Sequence, residues 1–201
     1  MRSVETTWFD ELFARRRVMI ILRGLSTSTT ISIVEQAWEL GIDAVEIPVQ
    51  SPESAQTLAE LAQIARAAGR SIGAGTILTP EDAARAAEAG AAYGVSPHFD
   101  ATVSAACRDL ALPLLPGVAT ASEVARASAV GHIWLKAFPA TALGATWAAM
   151  LKGPFPDTKF VATGGIAPID ASRFLSDGYS AVSVGSAVTD PSALSILAAL
   201  D

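Results

Sequence analysis

Residues 44–76 read AVEIP-VQ-SPESAQTLAELAQIARAAG-R-SIGAGT, and this stretch decides the fold. AVEIP (44–48) alternates apolar residues around one acid, as a strand does, and SIGAGT (71–76) is a second strand-like run. Between them, 52–68 is rich in alanine and leucine and free of internal glycine, which predicts a helix. Ser51 stands where an N-cap belongs, Pro52 at the first helical position and Gly69 just past the end. Strand, helix and strand in that order make a parallel crossover unit. The same alternation runs along the chain. Further strands are predicted at 18–23, 93–97, 113–116, 133–138, 159–163 and 181–185. Further helices are predicted near 29–40, 80–89, 101–110, 121–129, 143–151, 169–176 and 191–200, with an additional one from Trp8 to Arg16 ahead of the first strand. Eight units of about 25 residues predict a small (β/α)8 TIM barrel with an extra N-terminal helix. An open doubly wound sheet is the alternative, but no G-x-G-x-x-G follows the first strand. No linker, repeat or low-complexity segment interrupts residues 1–201, so one domain is expected.

Bulk properties narrow the function. Half of the 201 residues are hydrophobic (51%), enough for a sizeable core, yet no apolar run reaches the roughly 18 residues of a membrane span. The opening MRSVETTWFDE is acidic and lacks an apolar centre, so a cytoplasmic protein without a signal peptide is expected. A net charge of −6 argues against nucleic acid as a partner. The single cysteine, Cys107, allows no internal disulfide and reads as a small buried hydrophobe. His98 and His132 lack ligand spacing, so no dedicated metal site is expected.

Lysine is scarce. Lys152 and Lys159 flank a Gly/Pro-rich turn and read as solvated, whereas Lys136 sits inside HIWLKAFPA (132–140). Alternation puts Lys136 on the face of Trp134 and Phe138, opposite Leu135, and near the end of the sixth predicted strand. Reactive groups of a (β/α)8 barrel gather at that end of the strands. A lysine among apolar rings loses hydration, which favours the neutral amine that attacks a ketone; a lysine that snorkels to the rim or pairs with a glutamate is the alternative. Glu46 points away from Val45, Ile47 and Val49 and reaches the same mouth, as a proton shuttle or as the partner in a plain salt bridge. Arg23 ends the first strand, where its forked donors suit a carboxylate or phosphate, or a structural pairing with Glu46. VATGGI (161–166) and VGSAV (184–188) follow the last two strands, where glycine-exposed N–H groups bind phosphate in many barrels. Thr76 closes GAGT at the mouth with a hydroxyl.

Together ILRG (21–24), AVEIPVQSP (44–52), IGAGTILTP (72–80), VSP (95–97), PLLPGVATASE (113–123), LKAFPA (135–140) and ATGGIAP (162–168) resemble the class I, pyruvate-forming aldolases of 2-keto-3-deoxy-6-phosphogalactonate and 2-keto-3-deoxy-6-phosphogluconate. The resemblance covers roughly Val18 to Val188 in the family's order. It implies Lys136 as the Schiff-base lysine and Glu46 as the general acid–base. It implies Arg23 and Thr76 at the pyruvate carboxylate, Pro97 and Phe138 shaping the pocket, and Gly164, Gly165, Gly185 and Ser186 at the phosphate. It also implies no metal or organic cofactor, a phosphorylated sugar acid and pyruvate as small-molecule partners, and a homotrimer.

Two substrate-binding positions bear on the choice of epimer at C4. Gln50 carries an amide as in the galactonate branch, as does the run LKAFPATALG, whereas Thr163 before the two glycines leans toward the gluconate branch. The expectation is cleavage of 2-dehydro-3-deoxy-6-phosphogalactonate to pyruvate and glyceraldehyde 3-phosphate. The gluconate epimer, or both epimers, is the alternative, and a non-catalytic phosphosugar-binding barrel is the alternative from another class.

Overall fold

Every strand-like run of the sequence pairs in one parallel sheet. In the computed structural model, which describes residues 4–200, the strands are β1 (Val18–Ile21), β2 (Ala44–Pro48), β3 (Gly73–Gly75), β4 (Tyr93–Val95), β5 (Leu114–Leu115), β6 (Gly117–Val118), β7 (Trp134–Ala137), β8 (Lys159–Thr163) and β9 (Ala181–Val184). Their order is β5-β4-β3-β2-β1-β9-β8-β7-β6. The fifth expected strand, 113–116, is shorter than expected and a further strand follows it at Gly117–Val118, the two separated by Pro116, which has no N–H to give the ladder. Leu114 and Leu115 pair with β4, and Gly117 and Val118 pair with β7. Chain continuity through Pro116 therefore joins the two ends of the sheet and nearly closes it as an α/β TIM-like barrel. The Pro116 carbonyl still accepts from the Lys136 N–H at 2.8 Å.

The helices are α1 (Val4–Leu12), α2 (Thr27–Glu39), α3 (Pro52–Ala67), α4 (Pro80–Glu88), α5 (Ala101–Asp109), α6 (Ala121–Ala129), α7 (Ala140–Leu143), α8 (Trp147–Leu151), α9 (Ala171–Ser176) and α10 (Pro191–Ala198). The single helix expected over 143–151 is two short ones, separated at Gly144, whose φ of 91° ends α7. Similarly, a 3-10 turn, Pro168–Asp170, precedes α9. Among the described residues no helix is long and apolar enough to cross a membrane.

Two apolar layers position everything else. Outward-facing Ile20, Val45, Ile47, Leu135, Phe160 and Val182 pack beneath the helices, where Trp38 and Cys107 are also buried. Inside the barrel, Met19, Tyr93, Val95, Leu115, Trp134 and Val161 form a second cluster with Phe9, Leu12 and Phe13. The first helix thus plugs the N-terminal end of the barrel: the Phe13 ring stacks on Trp134 at 4.9 Å, and Phe9 meets Tyr93 edge-on at 6.0 Å. Asp10 locks the plug, accepting from Trp134 Nε1 at 2.8 Å and from Lys159 Nζ at 2.6 Å. Lys159 is therefore not the freely solvated side chain its turn suggested. Lys152 likewise donates to the Thr158 carbonyl, and burial, then Lys159, lowers its pKa below the ordinary 10.5.

The helix starts follow N-cap chemistry, at Ser51 as expected and at two further positions. Ser51, Thr79 and Thr120 each cap a helix and close a capping box with the residue three positions on. At α6 the Glu123 carboxylate accepts from the N–H groups of Ala119 (2.8 Å) and Thr120 (2.9 Å) and from the Thr120 hydroxyl (3.0 Å). The Ala119 bond is the leading cause that holds Glu123 below its ordinary 4.5. A lowered carboxylate pKa stabilises the fold above the ordinary value and loses that contribution as pH falls through the folded-state value. Glu123→Ala should cost about 1 kcal/mol at neutral pH. In urea titrations the gap from the parent protein should narrow as pH drops below 4.5. An unchanged gap would put the cost elsewhere.

Candidate active site

Four strands of the barrel carry polar side chains on the inward face two residues beyond an interior anchor. Glu46 follows Ala44, Lys136 follows Trp134, Thr163 follows Val161 and Ser183 follows Ala181, the anchors all lying in the interior cluster. The period of two places each polar group one layer nearer the C-terminal mouth. Lys136 is 6% exposed and Glu46 1%, so the lysine does not snorkel to the rim. Its Nζ stands 3.6 Å from Glu46 Oε2, longer than the 2.7–2.9 Å of a tight charge-assisted hydrogen bond. Lys136 Nζ also lies 5.6 Å from the centre of the Phe138 ring. Glu46 Oε2 has no hydrogen-bond partner among the described residues. A buried carboxylate oxygen that is left over, next to a buried amine, is placed to take or give a proton.

Room for Glu46 comes from the neighbouring strand. A Cβ on Gly75 would lie 2.1 Å from Glu46 Oε1, and one on Gly73 would lie 2.2 Å from the Tyr93 ring. Tyr93 donates to the Val45 carbonyl at 2.7 Å. Burial, then the Glu46 carboxylate, pushes the phenol well above its usual range, so it remains a donor. The next residue after Gly75 is Thr76, which holds φ at 64°. That region is costly for a β-branched residue and is tolerated where surrounding structure over-determines it, typically at functional positions.

Above these groups opens a cavity of about 620 Å³. Arg23, Thr76, Pro97, Lys136, Phe138 and Thr163 line it, together with the turns at Gly164–Gly165 and Gly185. Gly164 and Gly165 hold φ values of 104° and 76°, a backbone region that glycine adopts without steric cost, and an added Cβ would meet the Phe138 ring and Thr141. Thr141 braces this turn, donating its hydroxyl to the Gly164 carbonyl at 3.1 Å. Arg23 is exposed at the rim and makes no ion pair with Glu46 among the described residues, so the structural pairing considered for it is not formed.

Not every expected residue joins this wall, and Glu46, expected at the mouth, is buried beneath it rather than part of it. Gln50 is exposed and outside it, its N–H bonded to Ser54 Oγ at 3.0 Å. Ser186 begins a 3-10 turn, Ser186–Thr189, and its side chain lies outside the described part of the structure. Conversely, Ser183 and Thr189 line the cavity and were not singled out in the sequence. The signal for Ser183 was available, since it is the polar member of AVSV at an inward position. Among the described residues, no group of three His, Cys, Asp or Glu side chains is placed to hold a metal ion.

The family model of the KDPG and KHG aldolases matches residues 9–197. The chain belongs to that family. It is an aldolase, a carbon–carbon lyase whose family acts on phosphorylated sugar acids and yields pyruvate. The aldolase is 32% identical over 177 residues to the probable 2-dehydro-3-deoxy-6-phosphogalactonate aldolase of Rhizobium meliloti (strain 1021), covering 88% of this chain and 83% of that one. It is 30% identical over 172 residues to the 2-dehydro-3-deoxy-phosphogluconate aldolase of Pseudomonas aeruginosa, with 85% and 77% covered. Among solved structures it superposes with a TM-score of 0.82, at 27% identity over 93% of both chains, on the KDPG aldolase of Legionella pneumophila, in which pyruvate was captured as a covalent carbinolamine.

Proposed function

We propose that this aldolase cleaves 2-dehydro-3-deoxy-6-phosphogalactonate to pyruvate and glyceraldehyde 3-phosphate, with Lys136 as the Schiff-base nucleophile and Glu46 as the general acid–base. The observation that carries the reading is the buried Lys136–Glu46 pair, 3.6 Å apart, beneath a cavity whose far wall ends in glycine turns. The Lys136 amine attacks the C2 ketone, and Glu46 moves the protons that turn the carbinolamine into water and an iminium. Glu46, directly or through a water, then removes the C4 hydroxyl proton. The electrons of the C3–C4 bond flow into the iminium, glyceraldehyde 3-phosphate leaves, and an enamine remains. Protonation at C3 and hydrolysis release pyruvate and restore the lysine. Arg23 and Thr76 hold the carboxylate end, and Pro97 and Phe138 shape the space around the reacting carbons. Thr163 bears on the middle of the substrate, and Gln50 would reach it only by turning inward. Gly164, Gly165, Gly185 and Ser186 take the phosphate, so binding energy far from the broken bond orients it.

The galactonate epimer is favoured by the amide at Gln50 and by the name of the Rhizobium relative. Thr163 and the Pseudomonas relative favour the gluconate epimer as a second substrate. Borohydride reduction with pyruvate, followed by peptide mapping, should place one adduct on the Lys136 peptide. Rates on the two purified epimers should then be higher for galactonate, and a reversed ratio would reassign the substrate. We infer a single barrel domain over residues 1–201, assembled as a cytoplasmic homotrimer as the family resemblance implies. Light scattering should therefore give about three times 20.7 kDa.

A further inference from the structure

Ser183 has a hydroxyl with nowhere to go. It is 2% exposed, faces the barrel interior, lines the cavity, and its Oγ has no hydrogen-bond partner among the described residues. An alanine would fill nearly the same space without desolvating a hydroxyl, so the group is a net cost unless something entering the cavity pairs with it. Its neighbour across the ladder, Thr163, is the contrasting case, for its hydroxyl reaches back to the Val161 carbonyl at 3.4 Å.

The cavity lining and the order of the strands tell what passes Ser183. Lys136 is level with Val161, and Val161 with Ala181. Ser183 is two residues further toward the mouth, about 6.6 Å along the strand. Two residues further again comes Gly185, at the turn assigned to the phosphate. Lys136, Thr163, Ser183 and Gly185 line one cavity, so a substrate joined at C2 to Lys136 and held at its phosphate by the turns passes along the wall that contains Ser183. Of the hydroxyls on those carbons, the one at C4 gives its proton to Glu46 and so faces β2. The hydroxyl at C5 lies beside the turns and remains to be bound.

From this geometry we infer that Ser183 is a specificity-determining residue that hydrogen-bonds the C5 hydroxyl of the sugar acid, the hydroxyl carried by the aldehyde half. The inference rests on the aldolase mechanism proposed above for the same site. In the synthetic direction the C5 hydroxyl belongs to glyceraldehyde 3-phosphate, and the 2-deoxy analogue of that aldehyde lacks it.

The test compares the two aldehydes as acceptors for pyruvate, in the parent enzyme and in Ser183→Ala. With glyceraldehyde 3-phosphate the substitution should lower kcat/KM by roughly tenfold, the loss of one hydrogen bond to a neutral group in a dry site. With the deoxy acceptor it should change by less than about twofold. Thermal stability should be equal or higher, because the orphaned hydroxyl is gone. Ser183→Cys, which fills the same space with a weaker donor, should fall between the two and serves if the alanine variant folds poorly. Borohydride trapping of pyruvate on Lys136 is measured alongside in each protein. Trapping intact with equal losses on both acceptors, or no loss on either, would overturn the role of Ser183 alone. No trapping in the parent enzyme would overturn the Schiff-base mechanism, and this inference with it.

Discussion

Replacing Lys136 with methionine is expected to reduce aldol cleavage by roughly 10⁴-fold or more, as loss of a covalent nucleophile does. Methionine has nearly the length of lysine and suits a buried position beside the Phe138 ring, so the pocket keeps its shape. The substitution also leaves Glu46, 1% exposed, without its neighbour at 3.6 Å. Breaking a buried pair from one side costs about 3–5 kcal/mol, part of which relaxes here because the two groups are not in tight contact. Stability and activity must therefore be separated. The double variant Lys136→Met with Glu46→Gln removes both charges and should recover most of the lost stability while cleaving no substrate. A single variant that still cleaves near the parent rate would exclude Lys136 as the nucleophile, and the buried pair would then be structural.

The second large effect concerns Glu46 and the glycine that makes space for it. Glu46→Gln keeps the shape and the neighbour but cannot carry a proton, and a positioned acid–base is worth 10²–10⁴ in rate. A loss of roughly 10³-fold in kcat with little change in KM is expected, with slow but detectable pyruvate trapping on Lys136. Exchange of the pyruvate methyl protons with solvent, which needs an enamine and no aldehyde, should fall in parallel. Gly75→Ala tests the same group without touching it. The new Cβ would lie 2.1 Å from Glu46 Oε1 and 2.7 Å from its Cδ, so the carboxylate must move. Gly75 does not need a left-handed backbone, so the added methyl acts by contact rather than by strain. The variant should mimic Glu46→Gln in methyl-proton exchange although the carboxylate is intact. Normal exchange in both variants would remove Glu46 from the proton transfers.

Strain and packing explain why the site could be read only in part. Lys136 and Glu46 were legible because each interrupts an apolar strand at a position whose face follows from alternation. Their approach to 3.6 Å was not, since it depends on which strands become neighbours around the barrel and on two glycines that lend no side chain. The glycine turns were legible by their place after the last two strands. Gln50 was named by resemblance, and it lies outside the cavity because it follows β2 on the way to the Ser51 cap, exposed rather than inward.

By itself the sequence determined the alternation of strands and helices, the helix start at Ser51, and the inward direction of Lys136 and Glu46. These are local properties, set by period-2 and helical periodicities and by caps that act within four residues. Only the tertiary structure decided how the ring closes through Pro116, that the first helix plugs the barrel floor, and that Lys159 reaches Asp10. Those outcomes join residues as far apart as Asp10 and Lys159, 149 positions along the chain. No local rule reaches that far: the partners are chosen by burying the interior cluster once, with its aromatic rings, its carboxylate and its cations satisfied together.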